Sequence, residues 1–586
     1  MERAILSGNE AIARGAYEAG VKVASAYPGT PSTEILENMV QYPTIDSSWA
    51  PNEKVALEVG IGASFGGARA LVAMKHVGVN VAADPLFTLS YSGVKGGLVL
   101  AVADDPELHS SQNEQDSRNY AKFAKIPMFE PADSQEALTF TRLALEASEQ
   151  FDTPVMLRTT TRISHSKSVV TLRDPVDGLP APGLEKNPSK YVMLPSNARK
   201  RHPLVEERLR KMEEWACGQD FNRVEKVGGK VGVITAGVSY QYAREALPDA
   251  DILKLGLVYP LPKKLIREFA ANYETLYVIE ELDPFIEEQV KAMGIDVRGK
   301  DVFSICGELT PGRVAESLTG KQDEPYFTHN ETLPNRPPSM CPGCPHRSVF
   351  HSLNRLKAFV TGDIGCYTLG FMEPFAAMDT CICMGASIGN ATGLSKVLSP
   401  EDQRKVVGVI GDSTFLHTGI NGLMDMVYNK STATVVILDN RTTAMTGRQE
   451  NPGSGYTLMG ADSYQVDLEQ ICQALGVKHV RVVDPYEVAH TYQVLKEEME
   501  RPEVSVVIAR RPCMLVKRDP ALRKPAVMID SNLCSGCRAC LKLGCPAIEW
   551  RTLEDGKEVA HVNRLFCVGC GLCRQVCRFD AVRDIE

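Results

Sequence analysis

At 586 residues the chain has room for about four domains of ~150 residues each, and 44% apolar with 23% charged residues is the composition of an ordinary globular protein. A formal charge of -9 and a pI near 5.8 leave no basic surface, which argues against a nucleic-acid partner. The N-terminal MERAILSGNEA has no apolar signal core, and no apolar run reaches the ~18 residues of a membrane span, so a cytoplasmic location is expected.

The first block, residues 1–175, reads as α/β, with apolar segments VKVASAY (21–27) and LVLAVA (98–103) among Gly-rich turns. Within it EKVALEVGIGASFGGAR follows Asn52, opens on Glu53 and carries small residues from Gly62 onward. His76, in MKHVGVN, and His109, in LHSSQNEQD, are each either a proton relay near neutral pH or an ordinary hydrogen-bonded histidine. A joint from about Asp174 to Asn222, rich in Pro, Lys, Arg and Glu, ends in a charged helix. The second block, 225–320, carries VGVITAGVSYQYAREAL and LKLGLVYPLP and no chemistry of its own. Polar joints at about Gly320 to Pro338 and Lys517 to Lys524 set off a third block, 335–515, and a fourth, 525–586.

In the third block KVVGVI (405–410) ends in Gly411-Asp412-Ser413, a helix-like segment runs to about Lys430, and TATVVIL (432–438) ends in Asp439-Asn440. This is a βαβ unit whose two strands end at the same sheet edge, where open α/β sheets bind ligands. Asp412 and Asn440 offer the oxygen ligands that a hard divalent cation on a diphosphate requires. The pattern resembles the thiamine diphosphate motif, GDG followed after a βαβ span by Asn, with Ser413 in place of the third glycine. That resemblance implies Mg²⁺ on Asp412, Asn440 and the backbone carbonyl of Thr442, and Gly411 and Ser413 at the cofactor. It also implies a second α/β domain that supplies a helix-opening glutamate to the aminopyrimidine ring: Glu53, with Glu58 as the alternative. The competing reading is a solvated strand-end Asp, a turn Asn and a helix-surface carboxylate.

The fourth block holds eight of the seventeen cysteines, in CSGCRACLKLGCP from Cys534 and CVGCGLCRQVC from Cys567. Cys567, Cys570, Cys573 and Cys577 fit the bacterial ferredoxin pattern CxxCxxCxxxC, the ligand run of a 4Fe-4S cluster. The first run keeps Cys534, Cys537 and Cys540 but reaches Cys545 after four residues instead of three. The exchange characteristic of that pattern assigns Cys534, Cys537, Cys540 and Cys577 to one cluster and Cys567, Cys570, Cys573 and Cys545 to the other. Zinc does not explain three cysteines at two-residue gaps twice over, and disulfides do not suit thiols so closely spaced.

These motifs, with SAYPGTPSTE (25–34), CPGCPHR (341–347) and LDNRTTAMTGRQENPG (438–453), resemble the large subunits of the indolepyruvate ferredoxin oxidoreductases, within the 2-oxoacid:ferredoxin oxidoreductases. The resemblance implies a multidomain α/β thiamine-diphosphate-binding fold: two parallel-sheet cofactor domains, a transketolase C-terminal-like domain at 225–320 and a small ferredoxin domain with two 4Fe-4S clusters. It implies Thr30, from YPGTP, as a substrate contact, and Glu53 as the group that activates thiamine. It implies oxidative decarboxylation of an arylpyruvate with coenzyme A and electron delivery to ferredoxin. The expected partners are a small second subunit and a second copy of this chain. Cys341, Cys344, Cys366 and Cys513 follow the order of a third cluster in the wider superfamily, against which stands a tight turn of buried thiols. Cys217, Cys306, Cys381, Cys383 and Cys472 read as core. An oxidoreductase for aliphatic 2-oxoacids and a non-catalytic electron-transfer subunit are the alternatives.

Overall fold

The computed structural model describes residues 2–320, 327, 331–516 and 523–585, so two of the expected joints fall partly outside it. It forms two compact units, Met1–Asn330 and Glu331–Glu586.

The first unit is built on a seven-stranded sheet in the order Leu257–Tyr259, Met128–Phe129, Val155–Thr160, Leu98–Asp104, Ala70–Lys75, Val23–Ala26, Asp46–Trp49. All neighbours are parallel except the first pair. LVLAVAD and ALVAMK are buried along their whole length, as unbroken apolar strands of a sheet covered on both faces must be. The helix Glu53–Phe65 starts where Asn52 Oδ1 accepts from Val55 N at 3.0 Å. It packs on the sheet at Gly60, where a Cβ would stand 2.5 Å from Val72 Cγ2; at Gly62 a Cβ would meet nothing within 4 Å.

The second block contributes a four-stranded sheet, Thr275–Ile279, Val231–Ala236, Asp251–Leu255, Arg223–Glu225. LKLGLVYPLP does not stay in it as one strand. Gly256, where a Cβ would lie 2.6 Å from Phe221 O, lets the chain cross so that Leu257–Tyr259 pairs antiparallel with Met128–Phe129. The two blocks therefore share one apolar core, in which Leu100 and Met128 pack with Ile234 and Leu253. Buried charge crosses the same boundary, with Arg118 Nη1 2.6 Å from Glu280 Oε2. The expected charged helix is Pro195–Ala216, whose Arg201 and Arg208 donate to the carbonyls of Tyr91 and Ser90.

The second unit carries a six-stranded parallel sheet, Thr380–Cys381, Phe359–Gly362, Val406–Gly411, Thr434–Asp439, Ser505–Arg510, His479–Val483. Its tail is two antiparallel pairs, Val527–Ile529 with Val582–Asp584 and Ile548–Thr552 with Glu558–Val562. The tail docks on the sheet domain: Val488 N donates to Gln575 Oε1 at 3.0 Å, and Gln575 Nε2 to Tyr486 O at 2.6 Å. Among the described residues no helix is long and apolar enough to cross a membrane.

Candidate functional site

In the first unit three adjacent strands end side by side and present polar groups at the carboxyl edge of the sheet. Glu53, the first residue of its helix, is 5% exposed, and its carboxylate lies against Gly78 in the helix His76–Ser92. Glu58 is exposed and ion-paired with Lys54, so the structure separates the two candidates. Thr30 is half-buried, and its carbonyl lies 3.3 Å from Ser110 Oγ.

Lys75, at the end of its strand, was not singled out by the sequence. It is 7% exposed, with Nζ donating to Ser110 O at 2.7 Å and Ser110 Oγ at 3.3 Å, and with Gly29 against its Cβ. Its nearest carboxylate, Asp105, is 4.0 Å away and already accepts from Ser110 N and Thr161 Oγ1. Burial pushes Lys75 down to about 8, only partly countered by Asp105.

Burial also lowers His76 and keeps it neutral; Nε2 donates to Asn113 O at 3.2 Å, and Nδ1 is buried without a partner. His109 is half-exposed, 3.6 Å from Glu308.

In the second unit the strand Val406–Gly411 delivers Asp412 and its parallel neighbour Thr434–Asp439 delivers Asn440, with Gly411 and Leu438 in register. The segment after Asp412 is not a plain α-helix: Phe415–Gly419 forms a π-helical turn, a feature often found at functional sites. Asp412 is 2% exposed, and its Oδ2 has no hydrogen-bond partner. Burial and the Asp439 charge push its carboxyl up to about 8.

An orphaned carboxylate oxygen of this kind suits a bound cation, and Asn451 Nδ2, buried and unpaired across Gly453, adds a donor suited to a phosphate. Asn440 Oδ1 accepts from Thr442 N at 3.1 Å, which brings the Thr442 peptide beside the amide. Ser413 Oγ lies 2.8 Å from Thr443 Oγ1.

His346 is a second residue the sequence did not single out, although CPGCPHR contains it. Burial, then Arg347, drives it down to about 4, so its Nε2 is an acceptor 3.3 Å from Asn440 Nδ2 and fixes which way that amide faces. Asp363 was missed as well: it ties Ile364 N, Gly385 N and Ser387 N together at the end of strand Phe359–Gly362. Asp363 carries no sequence signal beyond a polar residue at a strand end, and His346 none beyond a polar residue opening a helix.

The cysteines fall into three groups. Cys545, Cys567, Cys570 and Cys573 line one cavity, with Gly343 and Arg347, and Cys534, Cys537, Cys540 and Cys577 line another. These are the two sets expected from ligand exchange. Cys341, Cys344, Cys366 and Cys513 form the third group: burial pushes Cys344 up to about 12 and Cys366 up to about 11, and the charges of Cys341 and Cys513 act on both. Cys513 N donates to Asn440 O at 3.0 Å, so this group adjoins the Asp412 and Asn440 strand ends. Cys472 is buried as expected and Cys217 partly so, but Cys306, Cys381 and Cys383 are exposed. Cys381 is in a two-residue strand at the sheet edge, where one side has no neighbour to cover it.

Three family models match: pyruvate flavodoxin/ferredoxin oxidoreductase, thiamine diphosphate-binding, over residues 14–210; the thiamine pyrophosphate enzyme C-terminal binding domain over 363–509; and a 4Fe-4S dicluster domain over 526–578. A solved 2-oxoglutarate:ferredoxin oxidoreductase from Magnetococcus marinus aligns with 54% of this chain and 65% of its own at 17% identity, with a TM-score of 0.44. The matched domains and the two parallel-sheet cofactor folds place the chain among the thiamine-diphosphate-dependent 2-oxoacid:ferredoxin oxidoreductases. The indolepyruvate oxidoreductase subunit IorA of Pyrococcus abyssi is 42% identical, over 100% of this chain and 97% of its own, and that of Archaeoglobus fulgidus 41%, over 100% and 98%. The chain belongs to this IorA family.

Proposed function

We propose that the chain catalyses oxidative decarboxylation of arylpyruvates, indolepyruvate among them, with coenzyme A, giving an arylacetyl-coenzyme A and carbon dioxide and passing electrons through 4Fe-4S clusters to ferredoxin. What carries the reading is the full-length similarity to IorA chains, in a molecule whose orphaned Asp412 carboxylate adjoins a group of four cysteines. Thiamine diphosphate, when bound, supplies the carbon nucleophile and the electron sink. Asp412, Asn440 and the Thr442 carbonyl hold Mg²⁺, with Gly411 and Ser413 against the diphosphate. Glu53 holds the proton at the aminopyrimidine ring, and Gly78 leaves the room its carboxylate needs.

Thr30 contacts the substrate, and the Lys75 ammonium, without a carboxylate at hydrogen-bond distance, receives the 2-oxoacid carboxylate. The eight tail cysteines hold two clusters, and Cys341, Cys344, Cys366 and Cys513 hold a third between the thiamine residues and the tail. A small second subunit completes the enzyme, which works in the cytoplasm with two copies of this chain.

The test is anaerobic co-expression with the small subunit, assay of iron, sulfide and thiamine, and viologen reduction by indolepyruvate with coenzyme A, against pyruvate as control. Reduction by indolepyruvate that is lost in Glu53→Gln supports the assignment. Bound iron without thiamine, and no reduction by any 2-oxoacid, would leave an electron-transfer subunit. Faster reduction by pyruvate would move the substrate class to aliphatic 2-oxoacids.

A further inference from the structure

Arg347 is a buried cation whose partners are all neutral. It is 1% exposed, with Nε donating to Cys341 O at 3.0 Å, Nη1 to Leu543 O at 2.9 Å and to Gly544 O, and Nη2 to Met340 O. Every acceptor is a main-chain carbonyl, and among the described residues no carboxylate pairs with it. The two other arginines that are 1% exposed differ: Arg118 faces Asp116 and Glu280, and Arg158 faces Asp104 and Glu130. Burial pushes the Arg347 guanidinium down, and the groups that oppose this are the thiols of Cys344, Cys545, Cys341 and Cys570.

A buried guanidinium held only by dipoles is costly unless an anion stands near it. A cubane carried by four thiolates is such an anion.

The same contacts account for the long first cysteine run. Its extra residue lies in the turn Ala539–Leu543 and in Gly544, which adopts φ +57°. The turn carries the Leu543 and Gly544 carbonyls to Nη1 of Arg347, directly before Cys545. The second run, with the usual spacing, is a plain helical turn, Leu572–Val576.

We propose that Arg347 is the positioning residue for electron entry into the ferredoxin fold. Its fork pins the turn bearing Cys545 to the CPGC turn, and its charge raises the reduction potential of the cluster on Cys545, Cys567, Cys570 and Cys573. Each one-electron reduction adds a negative charge to a cubane, and a nearby fixed cation favours that state. This cluster therefore takes electrons from the oxidised 2-oxoacid before the cluster on Cys534, Cys537, Cys540 and Cys577. The inference rests on the reading that these eight cysteines hold two cubanes.

The experiment is an EPR-monitored redox titration of the anaerobic holoenzyme as wild type, Arg347→Met and Arg347→Lys, with Cys537→Ser identifying the outer cluster's signal. Iron below about eight atoms per wild-type chain would refute the cluster reading itself, separately from the role of Arg347. Arg347→Met is expected to shift the reduction equilibrium of the Cys545 cluster tenfold or more toward the oxidised state, a fall of about 59 mV, and to leave the outer cluster unmoved. Arg347→Lys keeps the charge but not the fork, so a smaller fall is expected. It decides the question where the methionine variant loses iron. Wild-type midpoints in an iron-replete variant, or equal shifts in every cluster, would overturn the proposal.

Discussion

A methyl group at Gly78 would lie 2.6 Å from Glu53 Oε1 and 2.7 Å from its Cγ, closer than packed atoms come. Gly78→Ala must therefore displace the carboxylate, and a misplacement of about 1 Å at a reacting group costs about 10²-fold in rate. Turnover of indolepyruvate is expected to fall by that order while the variant stays folded, which circular dichroism alongside the dye assay checks. Lys75 makes a pH prediction. With its ammonium depressed to about 8 in the fold, the charge is present below pH 8 and lost as pH rises through it. KM for arylpyruvate should rise above pH 8 in the wild type, while in Lys75→Met it should be high throughout and lack that rise. A lysine whose pKa is lower folded than unfolded costs stability below pH 8, and the cost disappears between pH 8 and about 10.5. Lys75→Met should thus be more stable than wild type at pH 7, by up to about 3 kcal/mol, and lose that gain above pH 10. Calorimetry across that range measures both limits; a flat difference would mean that folding does not depress the Lys75 ammonium.

At the start of the helix Glu53–Phe65, Val55 N donates to Asn52 Oδ1 and caps the first turn. Asn52→Ala should cost about 1 kcal/mol of stability and reduce kcat, because the first turn that frays is the one carrying Glu53. Denaturant melts beside steady-state kinetics would show both effects or neither. This helix start, the strand ends at Asp412 and Asn440 and the grouping of the tail cysteines were all legible in the sequence, because each is a local pattern of cap, apolar run or fixed spacing. What was not legible depends on partners far along the chain. Lys75 matters through Ser110, His346 through Asn440, and Arg347 through Leu543 and Gly544. LKLGLVYPLP looked like part of one domain, yet Gly256 sends its second half into another sheet. Cys381 reads as core in the sequence, but an edge strand exposes it.

At the scale of the whole molecule the cysteine groups of the second unit form a sequence in space. Cys513 shares a hydrogen bond with Asn440, Arg347 joins the CPGC turn to the Cys545 turn, and Cys537 opens to solvent at the far set. A route in that order predicts that losing the first member isolates the others without destroying them. In Cys366→Ser, iron should fall from about twelve to about eight atoms per chain, four for each cubane. Dithionite should still reduce the two tail clusters, while indolepyruvate with coenzyme A should not. Cys537→Ser should behave in the opposite way: one turnover of substrate still reduces the remaining clusters, but steady-state ferredoxin reduction stops. Full iron and full activity in Cys366→Ser would remove the third cluster and require electrons to reach the tail directly from thiamine, a route for which the Cys341 to Cys513 group has no part. Freeze-quenched EPR spectra of the two variants, taken with each reductant, separate these outcomes because the donor differs while the accepting clusters are the same.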